Sequence, residues 1–346
     1  MRAAIFHEHG GPEVIRVEDV PVPEPGPGEV RLHVVASAMN HLDLWVRRGI
    51  GIETTMPHVG GSDVAGVVDA LGPGVERTRI GERVVVDPSL SCGECAECRR
   101  GEESLCARYR ILGEHTQGGF AEFVLVPARN LYPVPGDYPL ERAAAAPLAF
   151  LTAWRGLISR GGLGAGQDVL ITGASGGVAS AAIRIAGWVG ARVFAVTSAR
   201  HVGRVRALGA DRVYDRTAQD FSREVWRDTE RRGVDVVFDS VGEAVWEGCV
   251  RALARGGRLV TYGATTGPAV RTDVRIVFWK QLSILGTTMS NRREFRDVMS
   301  HVFSGELEPI IDVTWPLERA RAAHERLERA EAFGKIVLVP GMKDEG

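Results

Sequence analysis

The run Gly173-Ala-Ser175-Gly176-Gly177-Val178-Ala179 constrains the fold of this chain more than any other feature. It joins a short apolar segment, Asp168–Thr172, to a longer one, Val178–Val189, which stops at Gly190. A third apolar segment, Arg192–Thr197, follows at once. Small residues in such a turn let the backbone reverse tightly and leave the first N–H groups of the next helix uncovered. The pattern therefore reads as strand, turn, helix, strand. Further short apolar runs recur at Asp211–Tyr214, Asp235–Asp239, Arg258–Tyr262 and Leu282–Gly286, with helical stretches between them. Strands that alternate with helices predict an α/β unit built on a doubly wound parallel sheet.

Ahead of this unit the chain reads as β-rich. Alternating segments such as Val30–Ala36 and Arg83–Asp87 are broken by the turn clusters Pro21–Gly28 and Gly72–Gly74. After it come an expected helix, Leu317–Arg329, and an expected strand, Gly334–Val339, which return to the β-rich part. A length of 346 residues exceeds one ordinary core and implies two domains. A net charge of -2 supplies no basic field, so no nucleic-acid partner is expected. The start lacks an apolar core of export type and no apolar stretch reaches membrane length. No membrane partner is expected either, and the location expected is cytoplasmic.

Four of the five cysteines, Cys92, Cys95, Cys98 and Cys106, lie within fifteen positions. In a chain with no export signal, such clustering points to metal and not to disulfides. Four thiolates suit one zinc ion in a closed tetrahedron, or an iron–sulfur cluster. A closed zinc of this kind has no open position for water, so it stiffens a loop and does no Lewis-acid chemistry. Cys249 stands alone and reads as a small buried residue in a helix.

The glycine turn sits where a dinucleotide's pyrophosphate would meet a helix N-terminus, in the manner of a Rossmann unit. Gly173, Ser175, Gly176, Gly177 and Val178 are the cofactor-binding candidates there, with Ala179 in the third small position. Enzymes that bind NAD usually place an acid at the end of the second strand. Here that strand ends in Thr197-Ser198, with Arg200, His201 and Arg204 close behind. No carboxylate is present there to repel a 2′-phosphate, so NADP(H) is expected and NAD remains possible. A solvated helix start is the other reading of those arginines.

A four-cysteine lobe ahead of a Rossmann unit resembles the medium-chain dehydrogenase/reductase superfamily. The resemblance runs nearly end to end and includes Leu208-Gly-Ala-Asp211, Gly256-Gly-Arg-Leu-Val260 and Gly334-Lys335-Ile-Val-Leu338. It implies a GroES-like β-rich catalytic domain at 1–149 and 290–346, with a structural zinc lobe at about 88–110. It also implies a Rossmann domain at 150–289 and favours zinc over iron for the four cysteines. Zinc alcohol dehydrogenases of the family place a cysteine where this chain has Asn40. They carry Gly-His-Glu where it has Gly61-Ser62-Asp63, and a third ligand at or near Leu148. All three positions resemble the quinone oxidoreductases instead, so one structural zinc and no conventional catalytic zinc are implied. A displaced catalytic zinc held by Asp63, His41 and His58 is the rival enzyme reading. A dinucleotide-binding protein without turnover is the rival from another class.

By the same resemblance, the nicotinamide would lie near Asn40, Thr152 and the turn Gly263-Ala264-Thr265-Thr266, and Lys335 is a further cofactor-binding candidate. Hydride transfer needs a donor to the oxygen on which charge develops. Asn40 is the candidate, with Asp43 organising it or else forming a structural ion pair. His41 and His115 are candidates for proton supply, or else structural. Trp45, Arg47, Arg48 and Phe278 are candidates to line the site. Without a Lewis acid, the favoured substrate is an activated carbonyl, enone or quinone, which delocalises the arriving charge itself. A homodimer or homotetramer is expected, because the Rossmann sheet of the family often pairs with its twin. Arg200→Ala and Arg204→Ala are expected to weaken NADPH binding more than NADH binding in fluorescence titrations. Equal losses would show that these side chains do not read the 2′-phosphate.

Overall fold

The computed structural model describes residues 1–51 and 54–344. The chain divides into two compact units, 1–148 with 291–346, and 149–290. In the first unit the strands are β1 (Arg2–Phe6), β2 (Arg16–Asp19), β3 (Glu29–Ala38), β4 (His58–Val59), β5 (Asp63–Leu71), β6 (Arg83–Val86), β7 (Ser89–Leu90), β8 (Arg110–Ile111), β9 (Phe123–Pro127) and β10 (Leu131–Pro133). Its helices up to that point are α1 (His41–Arg48), the single turn α2 (Ala96–Arg99) and α3 (Leu140–Ala144). The helix α4 (Pro147–Trp154) carries the chain onward and runs into a π-helical stretch, Arg155–Arg160.

The second unit alternates as its sequence pattern predicts. It runs β11 (Asp168–Ile171), α5 (Gly177–Val189), β12 (Arg192–Thr197), α6 (Val202–Ala207), β13 (Arg212–Asp215), α7 (Phe221–Asp228), β14 (Val234–Asp239), α8 (Trp246–Ala252), β15 (Leu253–Thr261), α9 (Val274–Lys280) and β16 (Ser283–Gly286). The tail then supplies α10 (Arg292–Phe303), β17 (Ile311–Pro316), α11 (Ala320–Glu328) and β18 (Lys335–Val339) to the first unit.

The second unit's sheet has the order β13-β12-β11-β14-β15-β16, and every pair is parallel. Chain direction along the sheet reverses between β11 and β14, and a crevice opens at the carboxyl ends of such strands. The strands are apolar on both faces because helices cover both: Val169, Leu170, Ile171, Val236, Val237 and Phe238 have no solvent exposure. Cys249 lies fully buried in α8 within this core, as its sequence context predicts.

The first unit is built on the sheet order β10-β6-β5-β3-β18-β17, with β9 also on β3. Along β3, Val30, Leu32 and Val34 are buried while His33 is exposed, the period-two pattern of a strand with one covered face. The tail strand β18 pairs antiparallel with β3, which draws the last elements of the chain into this unit. The expected helix Leu317–Arg329 is a 3-10 turn, Leu317–Arg319, followed by α11. The predicted strand Arg258–Tyr262 starts five residues earlier, at Leu253.

Candidate functional site

Three places in the fold concentrate polar chemistry. The first is the four-cysteine lobe. Its sulfur atoms all lie within 4.8 Å of one another. The Cys92–Cys98, Cys95–Cys98 and Cys92–Cys106 separations are 3.8, 3.5 and 3.5 Å. Thiolates about 2.3 Å from a zinc ion form a tetrahedron with edges of roughly 3.8 Å, so the donor set fits one zinc ion. A multi-iron cluster spreads its thiolates over separate irons. The lobe is local: a tight turn at Gly93, the helical turn α2 and a 3-10 turn at Glu103–Leu105 wrap the sulfurs. The backbone N–H groups of Cys95 and Arg108 each donate to a sulfur at 3.4 Å, which suits thiolate charge.

The second place is the turn after β11. Gly173 adopts φ +60°, a left-handed conformation that glycine takes without strain. Gly176 caps α5 with no side-chain hydrogen bond at the cap, so the helix start presents its N–H groups and the positive end of its dipole. Ser175, Gly177 and Val178 belong to this start. Gly263, Ala264 and Thr265 follow β15 at the same end of the sheet, where Thr265 N–H donates to Ser240 O at 3.0 Å. Thr197 and Ser198 end β12 on that edge, and Arg200 and Arg204 follow, both exposed. An acid that the sequence reading missed stands next door: Asp215 ends β13 in register with Thr197. Its carboxylate accepts from Thr217 N–H and Oγ1 and lies below its usual range for that reason. Thr152 is buried in α4, its hydroxyl 3.8 Å from the Met289 sulfur.

The third place is a buried polar network in the first unit. Strand register creates it. Asp63 pairs with Ala38 across β5 and β3, and Val337 pairs with Ala38 across β18 and β3. Two residues further along, Lys335 therefore comes opposite Asn40. Lys335 Nζ donates to Asp63 Oδ2 at 2.8 Å and to Asn40 Oδ1. Asn40 Nδ2 donates to Asp63 Oδ2 at 2.9 Å and, more weakly, to Ala38 O at 3.4 Å. The remaining Asp63 oxygen accepts Leu148 N–H at 2.8 Å, at the start of α4. Asp63 is fully buried and Lys335 is 3% exposed.

This geometry corrects one expectation and places a second residue. Asn40 does not aim its amide outward as a donor to substrate oxygen, because Asp63 and Ala38 O take its N–H groups. Lys335, read from sequence as a cofactor-binding candidate, is the cation of the network, and its third N–H has no acceptor among the described residues. Among the described residues, Asp43 pairs with no arginine. Its carboxylate accepts Asn40 N–H at 2.7 Å and Gly61 N–H at 3.0 Å, fastening the start of α1 to the segment before Ser62. Burial pushes its pKa up to about 6 against those two N–H groups.

The other candidates separate. His41 opens α1 exposed, with its ring edge-on to Trp45. His58 is buried and its Nε2 lies 3.0 Å from Gly113 O. It is thus committed to the backbone and does not converge with Asp63 as a displaced metal ligand. Among the described residues, the four cysteines form the one group of three or more His, Cys, Asp or Glu side chains placed to share an ion. Arg47 is wholly buried and holds Gly10 O and Glu328, so it lines no site. Arg48 is bound to the same Glu328. Phe278 is exposed on α9. His115 is exposed, and its Nδ1 accepts Ile111 N–H at 3.2 Å. Beside it lies a buried carboxyl that no sequence pattern had singled out, Glu114, raised to about 7 by burial and then by the Asp43 charge.

Residues 26–136 match the family described as alcohol dehydrogenase GroES-like domain, and residues 208–338 match that described as zinc-binding dehydrogenase. A solved structure of an NAD-dependent alcohol dehydrogenase superposes with a TM-score of 0.94 at 46% identity, covering 99% of this chain and 100% of that one. The NAD-dependent alcohol dehydrogenase of Sulfolobus acidocaldarius is 33% identical, with 98% of this chain and 99% of the relative covered. The acryloyl-coenzyme A reductase of Metallosphaera sedula is 31% identical, with 98% and 99% covered.

Two outcomes follow from the cysteine lobe and the buried carboxyl. Dialysed protein should carry close to one zinc per chain by plasma mass spectrometry, since one donor set fits it; a value near two would mean a second site. Glu114 has a folded pKa above its unfolded one, so its contribution to stability is complete below about pH 4.5 and is lost as pH rises through about 7. Glu114→Gln should therefore match the parent in denaturant unfolding at pH 4.5 and exceed it at pH 8 by on the order of 2 kcal/mol.

Proposed function

The chain belongs to the medium-chain dehydrogenase/reductase superfamily, and on that footing we propose that it moves hydride between NADP(H) and an activated carbonyl, enone or quinone without a catalytic zinc. The observation that carries this reading is the Lys335–Asp63–Asn40 network. Asn40, Ser62 and Leu148 stand where zinc alcohol dehydrogenases of the family hold their catalytic metal, and none offers an anionic or imidazole donor. The carboxylate that remains, Asp63, is neutralised by Lys335 and by two N–H donors.

Bound, the dinucleotide supplies the hydride. The chain's part is to hold it and to steady the charge that the substrate oxygen gathers. The open N–H groups at Gly177 and Val178, the first residues of α5, suit the pyrophosphate. The polar edge Thr197-Ser198, with Arg200 and Arg204 after it, favours a 2′-phosphate over a bare ribose, the one carboxylate beside it, Asp215, being engaged by Thr217. Lys335, fixed by Asp63 and Asn40, places a positive donor that needs no reorganisation during the reaction. Asn40 and Asp43 act as positioning residues: Asn40 orients the ammonium, and Asp43 ties Asn40 to Gly61. Such a site stabilises developing charge less than a metal would, which favours substrates that spread the charge over a conjugated system. Acryloyl thioesters, for which one relative is named, share that electronic character.

The deciding experiment is NADPH oxidation in the presence of 1,4-benzoquinone, 9,10-phenanthrenequinone and a conjugated enone, beside NAD-linked oxidation of simple alcohols. Turnover of the first group is expected; turnover of alcohols alone would overturn the reading. Asn40→Ala should lower kcat at least about tenfold, a loss of roughly 1.4 kcal/mol of transition-state stabilisation, with NADPH affinity little changed. An unchanged kcat would remove the network from the mechanism.

The assembly proposed is at least a homodimer formed through the second unit. Its sheet ends at the edge strand β16, and Val274, Phe278, Trp279 and Ile284 on α9 and β16 expose large apolar side chains. An edge of this kind is a template for a second copy. Trp279→Glu with Ile284→Lys should convert the protein to monomer in light scattering, and an unchanged mass would place the interface elsewhere.

A further inference from the structure

The segment Gly113–Gly118 is pressed against the residues that lead into Ser62 and Asp63. Gly118 N–H donates to Val59 O at 2.7 Å, Gly119 N–H to Gly61 O at 2.8 Å and Phe120 N–H to Gly60 O at 3.0 Å. A Cβ on Gly113, which has φ +75°, would stand 2.6 Å from the Gly61 carbonyl, so a side chain has no room there. Gly61 is in turn bound by Asp43, and Asp43 by Asn40. The backbone of this segment thus lies one layer from the Lys335–Asp63–Asn40 network.

Glu114 is 8% exposed on that segment, and its Oε2 has no hydrogen-bond partner among the described residues. The neighbouring titratable atom is His115 Nδ1, 3.5 Å from Oε2 and already an acceptor for Ile111 N–H. A carboxyl oxygen left without a partner at this depth is uncommon and marks a place where a ligand or water completes the set. Two further buried oxygens in the touching segments, Ser62 Oγ and Thr116 Oγ1, also lack partners among the described residues. Three orphaned polar atoms therefore sit on the two touching segments. None of them is used by the hydride-transfer scheme above.

We propose that Glu114 is the proton donor in the reduction, its carboxyl O–H aimed at the substrate oxygen. This rests on the reading of the reaction as NADP(H)-dependent reduction of an activated carbonyl or alkene. As hydride from the bound dinucleotide forms the new C–H bond, the carbonyl π pair moves onto oxygen, or onto the enolate oxygen of an enone. The Glu114 O–H bond breaks and a new O–H bond forms at that oxygen, leaving Glu114 as carboxylate. Solvent returns the proton on the exposed His115 side, so one proton and one hydride are consumed per turnover. The groups that face Glu114 are Asp43 on α1 and His115 beside it. Arg110 faces His115, and Lys335 and Asp63 stand behind Asp43. Burial together with the Asp43 charge keeps the acid protonated until about pH 7.

The test compares Glu114→Gln with the parent enzyme on two substrates, a conjugated enone and 1,4-benzoquinone. The enolate left by hydride addition is strongly basic and needs a donor; the hydroquinone anion is a weak base and does not. The expected result is a loss of about a hundredfold in kcat for the enone, with the alkaline limb of its pH profile gone. Benzoquinone turnover and NADPH binding should change far less. Infrared difference spectra of the parent protein, which need no turnover, should show a protonated-carboxyl band that titrates near neutrality and is missing from the variant. Retention of enone turnover and its alkaline limb in the variant would overturn the proposal. Equal losses on both substrates, or no such band in the parent, would overturn it too. A parent enzyme that reduces neither substrate with NADPH would instead bring down the reading of the reaction itself.

Discussion

A lysine ammonium buried to 3% exposure has to be answered, and the answer organises the first unit. An unpaired charge at such depth is untenable, and breaking a buried pair by removing one partner costs about 3–5 kcal/mol. Lys335 is answered by Asp63 and Asn40, which stand 272 and 295 positions away in sequence. Those contacts require three adjacent strands, β5, β3 and β18, in one register. A slip by one residue would turn every side chain of a strand to the opposite face and strand the charge. The ion pair is thus a register pin for the sheet as well as the centre of the candidate site.

The network also decides what the site can do. Asp63 has its charge met by an ammonium and its oxygens met by the Asn40 amide and Leu148 N–H. It therefore has little left to offer a cation, while Lys335 retains a donor. Around it the protein keeps two carboxyls whose pKa values are driven up by burial, Asp43 to about 6 and Glu114 to about 7. A fixed cation in the same unit as an acid that holds its proton near neutrality suits an oxygen that gains negative charge and then a proton. Electrostatic preorganisation of this kind is effective because the surroundings are dry and already oriented.

The two candidate ligand-binding elements are built on a different principle. The cysteine lobe and the glycine turn are each contiguous in sequence, and each depends on local backbone geometry. Short loops at 92–106 bring four sulfurs within 4.8 Å, and one reversal at Gly173 leads to an open helix start. Neither needs a distant partner to take shape, so residue type and spacing carry nearly all the information. Elements of this type are legible in the sequence.

The sequence by itself determined the alternating α/β unit, the four-thiolate set, the turn at Gly173–Val178 and the burial of Cys249. Local spacing and period are enough for those, because strand and helix patterns and short-loop chelation act over a few residues. Asn40, Asp43 and Lys335 were residues of interest only through the family resemblance. Only the tertiary structure decided what Asn40, Lys335 and Glu114 face. The Asn40 amide turned inward because β18 delivered an ammonium and β5 a carboxylate to the same point. Glu114 gained its raised pKa from burial against a segment fifty residues earlier. His58 and Arg47 were spent on backbone carbonyls and Glu328. Charge pairing between strands remote in sequence leaves no local periodic trace, since its partners meet only when the sheet closes.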